Sequence, residues 1–113
     1  SKLTITKAVS PTPVAENGTL TYTFTIQNFG SNAATAADNI IVTDAFDPPL
    51  SNLAVTFNGT PWTAPANYTY ASGAFATVAG QITVPGATFT QDTETGVWST
   101  NPGTSVLIVS GTV

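Results

Sequence analysis

The chain has 113 residues, of which 42% are apolar and only 7% are charged, whereas about 25% of residues are charged in ordinary soluble domains. Two lysines, no arginine and six acids give a net charge of −4, which excludes the cationic face that nucleic acids and anionic membrane surfaces require. Cysteine and histidine are absent, so disulfides, thiolate nucleophiles, the usual zinc sites and a Ser-His-Asp triad are excluded.

Length and composition favour a single β-rich domain over residues 1–113. The chain contains 22 threonines, and threonine is β-branched and polar, which suits the solvated face of a strand. No run of about 18 apolar residues occurs, so no transmembrane helix and no membrane insertion are expected.

The first predicted strand is LTITKAV, residues 3–9. Side chains alternate between two faces in a strand, so Leu3, Ile5 and Val9 share one face. Lys7 is in phase with these apolar residues, although the chain has only two lysines in all. An inward-facing lysine is therefore the first candidate functional residue.

The strongest strand prediction is GTLTYTFTIQNFG, residues 18–30, in which apolar residues alternate with threonines. The next predicted strand is NIIVTDAF, residues 39–46, which ends where DPPL begins because proline cannot continue a ladder. On this strand Asp44 is in phase with Ile40 and Val42, so an acid also points toward apolar neighbours.

The remaining pattern predicts further short strands and no helix. NLAVTFNGT closes on an Asn-Gly turn signal, and the last segment, GTSVLIVSGTV, alternates to the end of the sequence. Shorter candidates are ANYTYAS, AFATVAG, QITVP, ATFTQ and GVWST. About seven or more strands indicate an all-β fold, an immunoglobulin-like antiparallel β-sandwich, with a jelly roll or small barrel as the alternative.

Two stretches, residues 3–46 and 97–113, resemble the immunoglobulin-like "conserved repeat domain" of bacterial surface proteins. The matching residues are Lys7, Gly18, Tyr22, Asn28 and Asp44, followed by the Trp, Pro-Gly and strand of VWSTNPGTSVLIVSGTV. The chain departs from the family pattern at Phe46 and Asp47, where Leu-Pro is usual. The resemblance implies an extracellular location on a bacterial cell surface, as a stalk or adhesive module of a surface or fibre protein, or an engineered fragment of one.

The same family resembles the pilin and collagen-adhesin (Cna-type) domains that form internal isopeptide bonds. That resemblance implies that Lys7 is the nucleophile, that Asp44 is the acid/base, and that the acceptor is an Asn on a final strand similar to ITNTATV. No such strand occurs within residues 1–113, so the final strand is expected to be missing. The partner would then be a β-strand peptide or a neighbouring subunit carrying the Asn, as in a split catcher and tag pair.

The residue chemistry is consistent with this role. Burial penalises the charged forms of both Lys7 and Asp44, a neutral amine is a nucleophile, and a protonated carboxyl can polarise an amide carbonyl. Such a reaction needs no metal or cofactor and runs once per domain, so no multiple-turnover enzyme is expected. Two simpler alternatives remain: a partly buried ion pair, or a lysine that extends its amine to water.

Other residues offer weaker candidates. Aromatic residues in and near the loop 61–70 could stack on sugars in a non-covalent adhesin or carbohydrate-binding module, or they could be ordinary core residues. The aromatic set is Trp62, Tyr68, Tyr70 and Trp98. Asp92 and Glu94 could contribute to a calcium site, although a solvated hairpin tip is the simpler interpretation of this acidic pair.

Overall fold

The structure is a computed structural model that describes residues 1–113. It contains ten strands and one short 3-10 turn at Ala36–Asp38. The strands are β1 (Leu3–Ser10), β2 (Thr19–Asn28), β3 (Thr43–Ala45), β4 (Ser51–Phe57), β5 (Thr60–Trp62), β6 (Tyr68–Ala71), β7 (Ala74–Thr77), β8 (Thr88–Gln91), β9 (Trp98–Asn101) and β10 (Gly103–Thr112).

The strands form antiparallel sheets, which confirms the predicted all-β sandwich. One sheet has the order β1-β2-β10-β4-β5 and faces a second sheet of order β3-β7-β6. The remaining two strands, β8 and β9, form a separate hairpin whose residues are all exposed.

The core lies between the two larger sheets and follows from the alternation seen in the sequence. Along β2, Leu20, Tyr22, Phe24 and Ile26 are buried, while the intervening threonines face the other way. Leu107 and Val109 of β10 pair with β2 and add to the same layer. The facing sheet contributes Phe75 and Tyr68, among others. Each such side chain contributes about 1.5–3 kcal/mol through removal of its apolar surface from water.

One predicted strand is shorter than the sequence pattern indicates. The predicted strand 39–46 is regular only over Thr43–Ala45. Asn39 adopts a left-handed conformation after the 3-10 turn, and the N–H of Val42 bonds to the Thr77 hydroxyl rather than to a backbone carbonyl. The ladder therefore starts late because side-chain hydrogen bonding replaces one of its first links.

The predicted strand QITVP is wrong. Val84 forms only an isolated bridge with Ala34, exchanging both backbone hydrogen bonds with it. The next residue, Pro85, has no N–H to donate, and the carbonyl of Thr83 accepts the Ser105 hydroxyl instead. A single pair of bonds thus replaces a ladder.

By contrast, the predicted Asn-Gly turn joins β4 to β5, with positive φ at both Asn58 and Gly59.

Candidate functional site

The two sheets direct Lys7 and Asp44 into the same space. Lys7 of β1 lies opposite Phe24 of β2, and Asp44 of β3 lies opposite Phe75 of β7. Directly opposed residues in an antiparallel pair share a face, and both phenylalanines are core residues. The Lys7 Nζ atom consequently reaches the Asp44 Oδ2 atom at 3.0 Å, which brings together residues 37 positions apart in the sequence.

The pair lies at the open mouth of the sandwich rather than deep within it. The Lys7 side chain is 47% exposed and that of Asp44 is 16% exposed, so the expected burial of Lys7 is wrong. The reason is that β1 is an edge strand, with β2 on one side and no strand on the other. The chain therefore holds a partly buried ion pair, one of the two simpler alternatives from the sequence.

Neighbouring groups hold each partner in place. The second carboxylate oxygen of Asp44, Oδ1, accepts the N–H of Ala45 at 2.9 Å. The Nζ atom of Lys7 lies 5.5 Å from the centroid of the Tyr22 ring, within the range of a cation–π contact. The acid and the amine are thus positioned against each other within the chain itself.

Replacing Lys7 with methionine is expected to change the free energy of unfolding by only about 0–1 kcal/mol, because exposed ion pairs contribute little in water. Urea denaturation at low and at high salt would measure this change. Asp44→Asn should behave similarly, and a loss well above this range in both variants would contradict the assignment of an exposed pair.

An apolar groove extends from the ion pair along β1. One cavity of about 190 Å³ is lined by Lys7 and Asp44 together with Ile5, Phe24 and Val42. A second cavity, of about 150 Å³, continues past the same Ile5 and Val42. The second cavity adds Leu3, Ile26, Ile40 and Ile41 to the lining. We call this continuous surface the β1 groove.

The β1 groove exposes apolar side chains that a sandwich would normally cover. Leu3, Ile5 and Val9 face the inter-sheet space, yet each is more than a third exposed, and Ile41 across the groove is more than half exposed. Large apolar side chains exposed together in one place form a patch, which differs from apolar residues scattered singly over a surface. The sequence run Ile40-Ile41-Val42, apolar on both strand faces, was the available signal for this surface.

The backbone of β1 is also unpaired along the groove. The N–H of Phe29 bonds to the carbonyl of Lys2, which places the even-numbered residues of β1 in the hydrogen-bonded pairs with β2. Backbone groups alternate in direction along an antiparallel strand. The backbone N–H and C=O groups of the odd-numbered residues therefore point to the free edge. The side chains of these same residues face the groove.

The free edge of β3 is less open. The N–H of Thr77 bonds to the carbonyl of Val42, so Thr43 and Ala45 are the residues of β3 whose backbone points away from β7. The Asp44 carboxylate already occupies the N–H of Ala45. An added strand would therefore find more unpaired hydrogen-bonding groups on β1 than on β3.

Asn28 fixes the start of β1, a role that the sequence did not reveal. Its buried carboxamide oxygen accepts the backbone N–H groups of Lys2 and Gly30, each at 2.9 Å. Its amide nitrogen donates to the carbonyl of Asn32. This clamp sets the register that leads to Lys7.

The aromatic residues of the loop 61–70 are packed against neighbouring strands rather than gathered on one exposed face. Trp62 stacks on Phe57 with ring centroids 4.9 Å apart, and Tyr68 is buried against Phe75. The Tyr70 hydroxyl bonds to both backbone groups of Leu50. Trp98 is exposed but lies apart from these residues, on the β8–β9 hairpin.

The acidic pair of the β8–β9 hairpin organises a turn. One Asp92 carboxylate oxygen accepts the N–H groups of Glu94 and Thr95, at 2.8 and 3.1 Å. These two bonds, with that from Thr95 the larger influence, hold the pKa of Asp92 below its ordinary value of 3.8. No three acidic side chains come close enough to hold a metal ion. Outside this hairpin, Asp47 is exposed beyond the end of β3.

The lowered pKa of Asp92 predicts a pH-dependent turn. The Asp92 carboxylate makes its full contribution to the stability of the turn above pH 3.8. That contribution is lost as the pH falls through the lower pKa of the folded state, because protonation weakens the carboxylate as a hydrogen-bond acceptor. We expect the amide resonances of Glu94 and Thr95 to shift in this acid range. Asp92→Asn keeps an acceptor oxygen without titrating, so flat resonances are expected in that variant.

Comparison with known protein families, curated proteins and solved structures gives no match to this chain. The assignment of the site therefore depends on its geometry and on the sequence motifs around Lys7 and Asp44. The chain also forms no helix with the length and apolar character needed to cross a membrane.

Proposed function

We propose that this chain is a structural module of a bacterial cell-surface or fibre protein, and that its β1 groove captures a β-strand carrying an Asn. Lys7 would then join the Asn side chain through an isopeptide bond, with Asp44 as the proton carrier. The observation that carries the proposal is the 3.0 Å contact between Nζ and Oδ2 at the mouth of an open apolar groove. The resemblance to isopeptide-forming surface domains supports the same assignment.

The first step is addition of the partner strand to the edge of β1. The outward backbone groups of Leu3, Ile5, Lys7 and Val9 offer a ladder of donors and acceptors, as in other cases of β-strand addition. Alternate apolar side chains of the incoming strand would cover Leu3 and Ile5. Docking would also exclude water from Lys7, which disfavours its ammonium form.

The second step is proton transfer and attack. The ammonium of Lys7 gives a proton to the Asp44 carboxylate, and the resulting amine attacks the carboxamide carbon of the incoming Asn. The carboxyl of Asp44 hydrogen-bonds to the developing oxyanion and then protonates the leaving nitrogen. A C–N bond to Lys7 forms and the bond to the amide nitrogen breaks. The attacking nitrogen gives up its excess proton to the departing ammonia, which leaves as ammonium. Asp44 returns to its carboxylate form, so atoms and charge balance without a metal, cofactor or external reactant.

The acceptor comes from outside residues 1–113 in this proposal. Lys7 has Asp44 as its hydrogen-bond partner, and the buried carboxamide of Asn28 is committed to its own backbone clamp. A peptide, a neighbouring subunit or a further segment could each supply the Asn.

Intact-mass measurement tests the proposal directly. The chain is mixed with a peptide containing ITNTATV and followed on denaturing gels and by mass spectrometry. A covalent product lighter than the sum of the two components by one ammonia is expected. The matched control is the same peptide with its Asn replaced by alanine, which should bind without reacting. Absence of any product between mildly acidic and mildly alkaline pH would overturn the proposal.

A further inference from the structure

The β1 edge lacks most of the features that normally prevent two sheets from joining. Natural edge strands are protected by proline, bulges, short length or inward-pointing charges. β1 spans Leu3–Ser10 in unbroken register with β2 and contains no proline. Its one inward charge, on Lys7, is matched by Asp44. The edge is therefore open to another strand.

β1 also provides apolar surface along the same edge. Leu3, Ile5 and Val9 carry exposed apolar side chains, and these residues also direct their backbone groups outward. A strand that pairs with this edge forms backbone hydrogen bonds and at the same time covers the apolar side chains of β1. The requirement on the occupant is an alternating strand of matching length and register.

A second copy of β1 meets that requirement in one register. Hydrogen-bonded pairs across the edge must join odd-numbered residues to odd-numbered residues, because those carry the outward backbone groups. With Thr6 on the two-fold axis, Leu3 lies opposite Val9 of the second copy and Ile5 lies opposite its Lys7. All the residues of β1 whose backbone groups point to the free edge are then paired.

The neighbouring registers are poorer. Placing Ile5 on the axis leaves Val9 without a partner in the opposing strand. Placing Lys7 on the axis sets the two lysines directly opposite each other, and like charges opposed across a sheet are destabilising.

We propose that two copies of this chain associate through β1 in an antiparallel arrangement with Thr6 on the two-fold axis. The arrangement joins the two five-stranded sheets into one continuous sheet, with the same patch used by both subunits. The dimer requires only the open edge and does not depend on isopeptide chemistry. It occupies the edge that the proposed partner strand would use, so dimerisation and strand capture compete.

Single cysteines test the register, since the chain contains none of its own. The two Thr6 residues form a non-hydrogen-bonded pair, with Cα atoms about 4.5 Å apart, which a disulfide can span. Thr6→Cys is therefore expected to give a disulfide-linked dimer on mild oxidation. Thr4→Cys is the matched control on the same face of β1, because Thr4 lies opposite Ala8 of the second copy and about 13 Å from its own equivalent.

The expected result is that Thr6→Cys cross-links faster than Thr4→Cys by about tenfold or more, since only the former holds its two thiols together. Equal rates for the two variants, or no cross-link in Thr6→Cys, would overturn the proposed interface. Sedimentation equilibrium on the unsubstituted chain gives a second measurement, with a mass that rises from monomer to dimer with concentration. A monomer throughout would also contradict the interface. Neither experiment uses the peptide or changes Lys7, so failure of the covalent reaction leaves this test unaffected.

Discussion

Replacing Lys7 with arginine is expected to abolish covalent capture of an Asn-bearing strand while leaving the fold intact. Arginine keeps the positive charge opposite Asp44, but its guanidinium is not deprotonated in proteins and cannot act as the nucleophile. Docking of the strand should survive, because it depends on the backbone edge of β1 and on the apolar lining of the groove. The variant thus separates binding from reaction.

The measurement is a time course of adduct formation by intact mass, with non-covalent binding followed by calorimetry. Lys2→Arg is the matched control, since Lys2 is the only other lysine and has no place in the proposed reaction. An adduct that persists in Lys7→Arg and maps by tandem mass spectrometry to Lys2 or to the terminal amine would contradict the assignment of Lys7.

Asp44→Ala is expected to slow the same reaction by about 10²–10⁴-fold, the range that a positioned general acid–base contributes. Loss of the carboxylate removes both the proton acceptor for Lys7 and the donor to the oxyanion. Asp47→Ala provides the control, because this neighbouring acid is exposed beyond the end of β3. Equal rates in the two variants would remove Asp44 from the mechanism.

Leu107→Ala is expected to lower the free energy of unfolding by about 2–5 kcal/mol, through lost apolar burial and a cavity between the sheets. Leu107 is fully buried on β10, opposite Phe24 of β2 and Phe57 of β4, so little collapse around the gap is available. Guanidinium unfolding measures this loss, and an unchanged dependence on denaturant indicates that the unfolded state is not altered.

Ile108→Ala is the matched control for Leu107→Ala. Ile108 is the next residue on the same strand, and its substitution removes a side chain of similar size. Ile108 is 36% exposed and faces outward beside Thr23 and Thr56. A clearly smaller loss, by at least about 1 kcal/mol, is expected because a side chain that is open to solvent leaves no closed cavity. Equal losses would contradict the assignment of the two faces of β10.

The sequence predicted most of the larger sheet because its signals are local. The alternation in residues 18–30 marks β2, and the Asn-Gly pair marks the turn after β4. The failures occurred where a side chain or a proline redirected the backbone. Thr77 takes the N–H of Val42, and Pro85 prevents a ladder beyond Val84. Neither effect has a period that a local pattern can reveal.

Aromatic residues illustrate the same limit. The composition of the loop 61–70 is compatible with both a sugar-binding surface and a packed core, since Trp and Tyr suit either. Only the tertiary neighbours distinguish the two. Trp62 stacks on Phe57 across the β4–β5 hairpin and Tyr68 stacks on Phe75 across the β6–β7 hairpin, which composition alone does not show.

The alternation of side chains along a strand is enough to place Lys7 and Asp44 on strand faces that also carry apolar residues. The tertiary structure decided that the two meet at 3.0 Å, through sheet pairings that connect residues far apart in the chain. It also decided that Lys7 is half exposed rather than buried. Burial depends on what covers a strand, and β1 is an edge with an open groove beside it. Strand period is a local property, whereas burial is a property of neighbours.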